Sequence, residues 1–230
     1  MRPLCFRSAV FLPLSIPLAS RQACHPRKKK TLGASERNEQ ERASWREQVK
    51  ELDAKRLVVL DECGSNIALT PRYARAPKGH RARGSVPRNR GKNTTLLASL
   101  SVEGLGASML LEGATNTAAF EVYLEQLLLP SLAPGQIVVM DNLSAHKGAR
   151  VRQLIEERGC QLLFLPAYSP DFSPIEETFS KIKASLRRVG ARTREALEEA
   201  IAQALETVTS QDAHGWFAHC GYLPSAERKA

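Results

Sequence analysis

GQIVVMDN, residues Gly135–Asn142, is a short apolar run closed by glycine on one side and by Asp141-Asn142 on the other. An uninterrupted Ile-Val-Val-Met stretch between such breakers fits a buried strand. In α/β sheets functional groups gather at the C-terminal ends of strands, because the loops there leave side chains exposed above a rigid base. Asp-Asn is equally common as a plain turn after a strand, so Asp141 alone supports either reading.

The neighbouring segments alternate in kind. SERNEQERASWREQVKELD predicts a helix, with Ser35 as its cap and Trp45, Val49 and Leu52 spaced along one face. KRLVVLDECGSNIAL predicts a strand from Arg56 to about Ile67 that carries Asp61 and Glu62. NTTLLASLSVEGLGASMLLEG reads as two strands joined at a glycine turn near Gly104–Gly106. Asn116 or Thr117 caps a helix through AAFEVYLEQLLLPSL, with Phe120, Leu124, Leu127 and Leu128 on one face. Downstream come a helix across HKGARVRQLIEERG, the strand CQLLFLP, a helix over 174–189 and a last helix near 193–208. The order β-β-β-α-β-α-β-α implies an α/β domain whose mixed five-stranded sheet is flanked by helices. The expected organisation is a poorly ordered leader over 1–27, a basic linker and helix over 28–54, the main domain over 55–223 and a tail over 224–230.

With 230 residues, 43% of them hydrophobic, the chain can bury one good-sized core. No run approaches the ~20 apolar residues of a membrane span. The five cysteines, Cys5, Cys24, Cys63, Cys160 and Cys220, are odd in number and scattered, without a CxxC pair. They imply reduced thiols and a cytoplasmic protein rather than a disulfide framework or a zinc knuckle. The first 23 residues loosely resemble a secretory signal, but Pro13 and Pro17 interrupt the apolar run and the thiols argue against export.

The net charge of +9 is unevenly placed. Seven Lys/Arg fall in residues 1–30 and eight in residues 71–92, neither stretch holding an acid. The rest of the chain is slightly acidic, so an acidic body carries two basic extensions. Such extensions are the usual footprint of polyanion binding, DNA or RNA first. In 71–92 the residues concerned are Arg72, Arg75, Lys78, Arg81, Arg83, Arg88, Arg90 and Lys92. Their ordinary alternative is a solvated charge run.

Two further acids join Asp141. Asp61 follows four apolar residues and precedes more strand, so its carboxylate lies in or at the rim of a sheet, where charge is costly unless paired or bound to metal. An exposed-face acid on a one-sided strand is its alternative. Glu176 lies in LPAYSPDFSPIEETF, residues 165–179, where Ser173-Pro174-Ile175-Glu176 fits a capping box with proline at the first helical position. Ile175, Phe179, Ile182, Leu186 and Val189 form a 4,3,4,3 apolar stripe. Glu176 lies beside that stripe, whereas Glu177 points further out with Lys181 four residues on, the spacing of an exposed ion pair. Three carboxylates on two strands and a helix can converge at one sheet edge. Clustered like charges need a cation, and an all-oxygen set suits Mg²⁺ or Mn²⁺. Two such ions ~4 Å apart can activate a water or a 3′-hydroxyl and stabilise the leaving oxygen of a phosphodiester.

LDECGSN, VVMDNLSAHKG and LPAYSPDFSPIEETFSKIK together resemble the signature blocks of bacterial insertion-sequence transposases of the mariner superfamily, the DDE superfamily endonuclease domain. The resemblance runs from about Lys28 to Tyr222, and 34 residues separate Asp141 from Glu176, the spacing of that superfamily. It implies a ribonuclease H-like (RNase H-like) fold. It further implies Asp61, Asp141 and Glu176 as a metal-binding catalytic triad for a two-metal site of Mg²⁺ or Mn²⁺, with Asn142 and His146 in supporting positions. The activity implied is DNA strand cleavage followed by strand transfer, with element ends and target DNA as partners and a homodimer as the working unit. Such transposases carry N-terminal helix-turn-helix modules, which the roughly 55 residues before the first strand, with four prolines in 1–26, do not accommodate. A catalytic half is therefore expected, with a separate helix-turn-helix subunit from a split frame as one source of end recognition. Two other readings remain open. One is a catalytically silent DNA-binding remnant or partner subunit acting through 71–92. The other is a different RNase H-like nuclease, which the proline-rich YSPDFSPIEE block disfavours.

Overall fold

The computed structural model describes residues 34–142 and 148–222, and the chain divides into the units Met1–Gly33 and Ala34–Ala230. The expected leader, the first residues of the linker, the tail and His146 lie outside the described residues.

Strands β1 (Leu57–Ser65), β2 (Thr94–Ser101), β3 (Gly104–Glu112), β4 (Ile137–Met140) and β5 (Gln161–Phe164) form one mixed sheet in the order β3-β2-β1-β4-β5. β1 and β2 pair antiparallel, as do β2 and β3, whereas β1, β4 and β5 run parallel. This is the mixed α/β sheet that the element order implied, in the RNase H-like architecture that the resemblance implied. The β2–β3 hairpin turns at Val102-Glu103, so Gly104 opens β3 rather than lying in the turn. Gly106 is needed for a close approach, since a Cβ there would stand 2.7 Å from the Ser99 hydroxyl oxygen.

The alternation of β1 and β4 sorts their side chains to two faces. Leu57, Val59, Ile137 and Val139 enter one core with helices α1 (Glu39–Lys50), α5 (Pro174–Val189), α6 (Arg194–Glu206) and α7 (Ser210–His219). Val58, Leu60, Val138 and Met140 enter the other, with α2 (Thr117–Tyr123), its π-helical continuation Leu124–Leu128, the short α3 (Leu129–Ser131) and α4 (Ala149–Glu157). A sheet covered on both faces explains why IVVM is buried at all four positions.

Several predicted details differ. Helix α1 starts at Glu39 because the Asn38 side chain accepts from Gln40 N and Glu41 N, while the Ser35 hydroxyl turns to Glu36. β1 ends at Ser65, two residues before Ile67. The π turn after α2 shifts the helical phase by one residue, so Leu124 and Leu128 are buried and Leu127 is exposed. On α5, Ile175, Phe179, Ile182 and Leu186 are buried as the stripe predicts, but Val189 is exposed. The helix stops at that point on Gly190, whose φ of 62° is the left-handed cap and whose N–H bonds Leu186 O at 2.9 Å. Helix α7 was not anticipated, although Thr209 and Asp212 close a capping box at its start.

Candidate active site

The pairing of β1 with β4 ends at Leu60↔Met140, so Asp61 and Asp141 are the next residues on two adjacent parallel strands. Such strands lie ~4.8 Å apart. Leu60 and Met140 belong to the α2–α4 core, so by alternation Asp61 and Asp141 both turn to the opposite face, the one covered by α5. Ile175 and Phe179 anchor the first turns of α5 in that core, which brings Glu176 to the point where β4 ends beside β1. All three acids line one cleft of about 730 Å³, together with Glu62, Asn142, Thr115 and the segment Leu165–Pro170.

The local chemistry around Glu176 departs from the capping-box expectation. Ser173 is the N-cap, yet its side chain makes no capping bond; the Glu176 N–H reaches the Ser173 carbonyl instead. Glu176 therefore faces the cleft and does not close a box. Glu177 does not pair with Lys181 either. Helix α7 lies along α5, so Lys181 reaches Asp212 Oδ2 at 2.6 Å and Thr207 O at 2.7 Å, while Glu177 contacts His219 Nδ1.

Burial pushes the Asp61 carboxyl up to about 7, and the charges of Asp141, Glu176 and Glu62 push the same way, against one hydrogen bond from Glu62 N at 2.7 Å. Desolvation and like charges both favour the protonated acid, and both are relieved by a bound cation.

The proline-rich segment that enters α5 is held from three sides. Leu165 N bonds Met140 O at 2.9 Å, which ties its start to the end of β4. The Tyr222 hydroxyl donates to Phe172 O at 2.6 Å. Arg42, fully buried on α1, grips Asp171 with both terminal nitrogens at 3.0 and 2.6 Å and lies 4.2 Å over the Phe172 ring. That guanidinium holds the Asp171 carboxyl below the usual range, although partial burial opposes it. Sequence reasoning missed Arg42, although it stands three residues before Trp45, in line with the apolar face of α1. It also missed Tyr168, which lines the cleft 58% exposed with a φ of 54°, a conformation uncommon for a bulky residue.

Segment 71–92 connects β1 to β2 without a helix or strand. Arg72, Arg75, Lys78, Arg81, Arg83, Arg88, Arg90 and Lys92 are all exposed on it. Lys92 differs from the others in pairing with Glu112 at 2.7 Å. Among the described residues Cys63, Cys160 and Cys220 are free thiols, and no helix is long and apolar enough to cross a membrane.

Solved structures share this fold. The chain matches a pre-cleavage Mos1 transpososome with a TM-score of 0.65 at 18% identity, covering 91% of this chain and 69% of that one. A Mos1 mariner paired-end complex with Mn matches at 0.63 and 21%, covering 91% and 67%. The catalytic domain of Mos1 mariner transposase matches at 0.56 and 18%, covering 86% and 95%. The chain thus spans about two thirds of the longer neighbours and nearly all of the isolated catalytic domain, with which it shares the RNase H-like fold. No curated protein matches the sequence. The model of the family described as DDE superfamily endonuclease matches residues 56–198, a span that contains Asp61, Asp141, the exposed basic segment and Glu176, and the chain belongs to that family.

Proposed function

We propose that this chain is a transposase catalytic domain that cuts and rejoins DNA strands, with Asp61, Asp141 and Glu176 holding two divalent cations. The observation that carries this reading is the convergence of three carboxylates, from the middle of β1, the end of β4 and the start of α5, on a single cleft. The donor set consists of carboxylate oxygens, which suits a hard cation, and Asp61 already bears the electrostatic penalty that such a cation relieves. When bound, the ions supply Lewis acidity and lower the pKa of a water or 3′-hydroxyl at the scissile phosphate.

The chain's own residues do the rest. Asp61 and Asp141 share the sheet's rigidity, and Glu176 gains its position from the buried start of α5. Tyr168 offers an exposed ring at the cleft wall on which an unpaired base can stack. The arginines and lysines of 71–92 neutralise backbone phosphates without reading sequence. Two copies would act on two DNA ends, a reading that the similarity to neighbours named paired-end complexes supports, and a separate helix-turn-helix subunit would read those ends.

The test is nicking of supercoiled plasmid by the full chain with Mn²⁺, beside Asp141→Asn purified in parallel. Nicking that needs Mn²⁺ and disappears in Asp141→Asn is the expected outcome. DNA binding without nicking in either protein would replace this reading with the silent DNA-binding one.

A further inference from the structure

On the side of α5 turned from the cleft, three ligating groups of different chemistry meet. Glu177 stands in the first turn of α5, His219 in the last turn of α7, and Cys220 caps that helix. A carboxylate oxygen, a ring nitrogen and the thiol sulfur all lie within 4.8 Å of one another. Glu177 and His219 Nδ1 are already in contact, and the half-buried Cys220 sulfur converges on the same point.

We propose that Glu177, His219 and Cys220 form a zinc site that clips the end of α7 to the first turn of α5. Bonds of ~2.0 Å to nitrogen and oxygen and ~2.3 Å to sulfur set tetrahedral ligand-to-ligand edges of ~3.3–3.5 Å. The Glu177–His219 contact would open slightly to admit the ion, and the sulfur already lies within 4.8 Å of both. A mixed sulfur, nitrogen and oxygen set selects Zn²⁺ over the Mg²⁺ or Mn²⁺ that the all-oxygen cleft suits. Three protein ligands leave the fourth position to water. Burial and the Glu177 and Asp171 carboxylates push the Cys220 thiol up to about 12, so the metal displaces a thiol proton on binding. The clip joins the chain's last described helix to the helix start that carries Glu176, and it stands whether or not the cleft cuts DNA.

Co²⁺ is the probe, because a cysteine thiolate bound to it gives a charge-transfer band that carboxylate ligands cannot produce. The full chain carrying Asp141→Asn, which weakens the cleft as a competing site, is titrated with Co²⁺. The expected result is a thiolate-to-cobalt band saturating at one equivalent, bleached by Zn²⁺ and absent when Cys220→Ala is added. His219→Ala, at a side chain 78% exposed and so without packing cost, should weaken Co²⁺ by more than about tenfold, since even outer-shell changes cost ~10–100-fold. No band, a band that survives Cys220→Ala, or a band indifferent to His219→Ala would each overturn the site.

Discussion

Two irregular segments flank the same strand ends and differ in almost every physical respect. Residues 71–92 leave β1 as an exposed, cation-dense connection with no regular structure. Residues 165–173 leave β5 as a short connection pinned by Met140 O, Tyr222 and Arg42. In the proposed function the first would supply charge and need no fixed geometry, because electrostatics can hold phosphates at any of many positions. The second would supply geometry, because a carboxylate acting as a ligand is useful only within a few tenths of an ångström of its place. A loop can thus serve a site by being loose or by being locked, and its partners tell which.

Substitutions can break that contrast. The largest effect is expected from Glu176→Gln, which keeps shape and packing but removes a charge delivered by the locked segment. Outer-shell partners of metal ligands already cost ~10–100-fold, so plasmid nicking should fall by at least about a hundredfold at unchanged thermal stability. A loss of less than about tenfold would show that the pinned segment presents nothing essential. Arg81→Ser with Arg83→Ser should weaken duplex binding by about 10–100-fold at low salt. It should also flatten the log–log salt slope by roughly one per residue, read by fluorescence anisotropy. The melting temperature should stay put, since both side chains are exposed.

Arg42→Met tests the lock from the far side. It removes a buried bidentate pair and the contact with Phe172, leaving an acid that water can recover because the Asp171 side chain is 52% exposed. A loss of about 2–4 kcal/mol follows, or roughly 5–12 °C in melting temperature for a chain of this size. Arg42→Lys should restore less than half of it, because an ammonium lacks the planar fork. Nicking should fall further than stability in both variants if the segment aims Glu176, and in proportion to stability if it does not.

The smallest effect concerns pH. Asp61 titrates at about 7 in the metal-free fold and near 4 when unfolded, so the folded state favours the proton. Its contribution is fully present below about pH 4 and is lost as pH rises through about 7. A cation competes with that proton. The rise in melting temperature on adding Mn²⁺ should therefore grow from pH 5 to pH 8 by a few degrees and vanish in Asp61→Asn. A rise independent of pH would mean that Asp61 does not meet the ion.

Much of this frame was legible beforehand, and for a physical reason. Buried strands such as IVVM and LVVL announce themselves by apolar runs, and α5 by its 4,3,4 spacing ending at Gly190. Asp141 and Glu176 follow from those elements, since one stands where β4 stops and the other where α5 starts, whereas Asp61 lies in the middle of β1, just past its pairing with β4. What stayed hidden depended on partners far along the chain. Arg42 is buried only because Asp171, 129 residues away, receives it. Lys181 abandons Glu177 because α7, an element the helix count omitted, brings Asp212 within reach. Leu127 turns outward because a π turn adds a residue to one helical repeat, which no α-helical wheel anticipates. The left-handed Tyr168 has no compositional signal at all.

The last rung of the β1–β4 ladder, Leu60↔Met140, has a consequence for how the protein can change length. Adding or deleting a single residue before Asp61 within β1, or before Asp141 within β4, would send that carboxylate to the opposite side of the sheet, into the α2–α4 core. No compensating point substitution nearby could turn it back. Segment 71–92 obeys the reverse rule, since doubling a flexible connection costs only about 0.6 kcal/mol in closure entropy. Insertions and deletions are therefore barred from the strand stretches before Asp61 and Asp141 and nearly free in 71–92, so length can vary there without ever moving the acids.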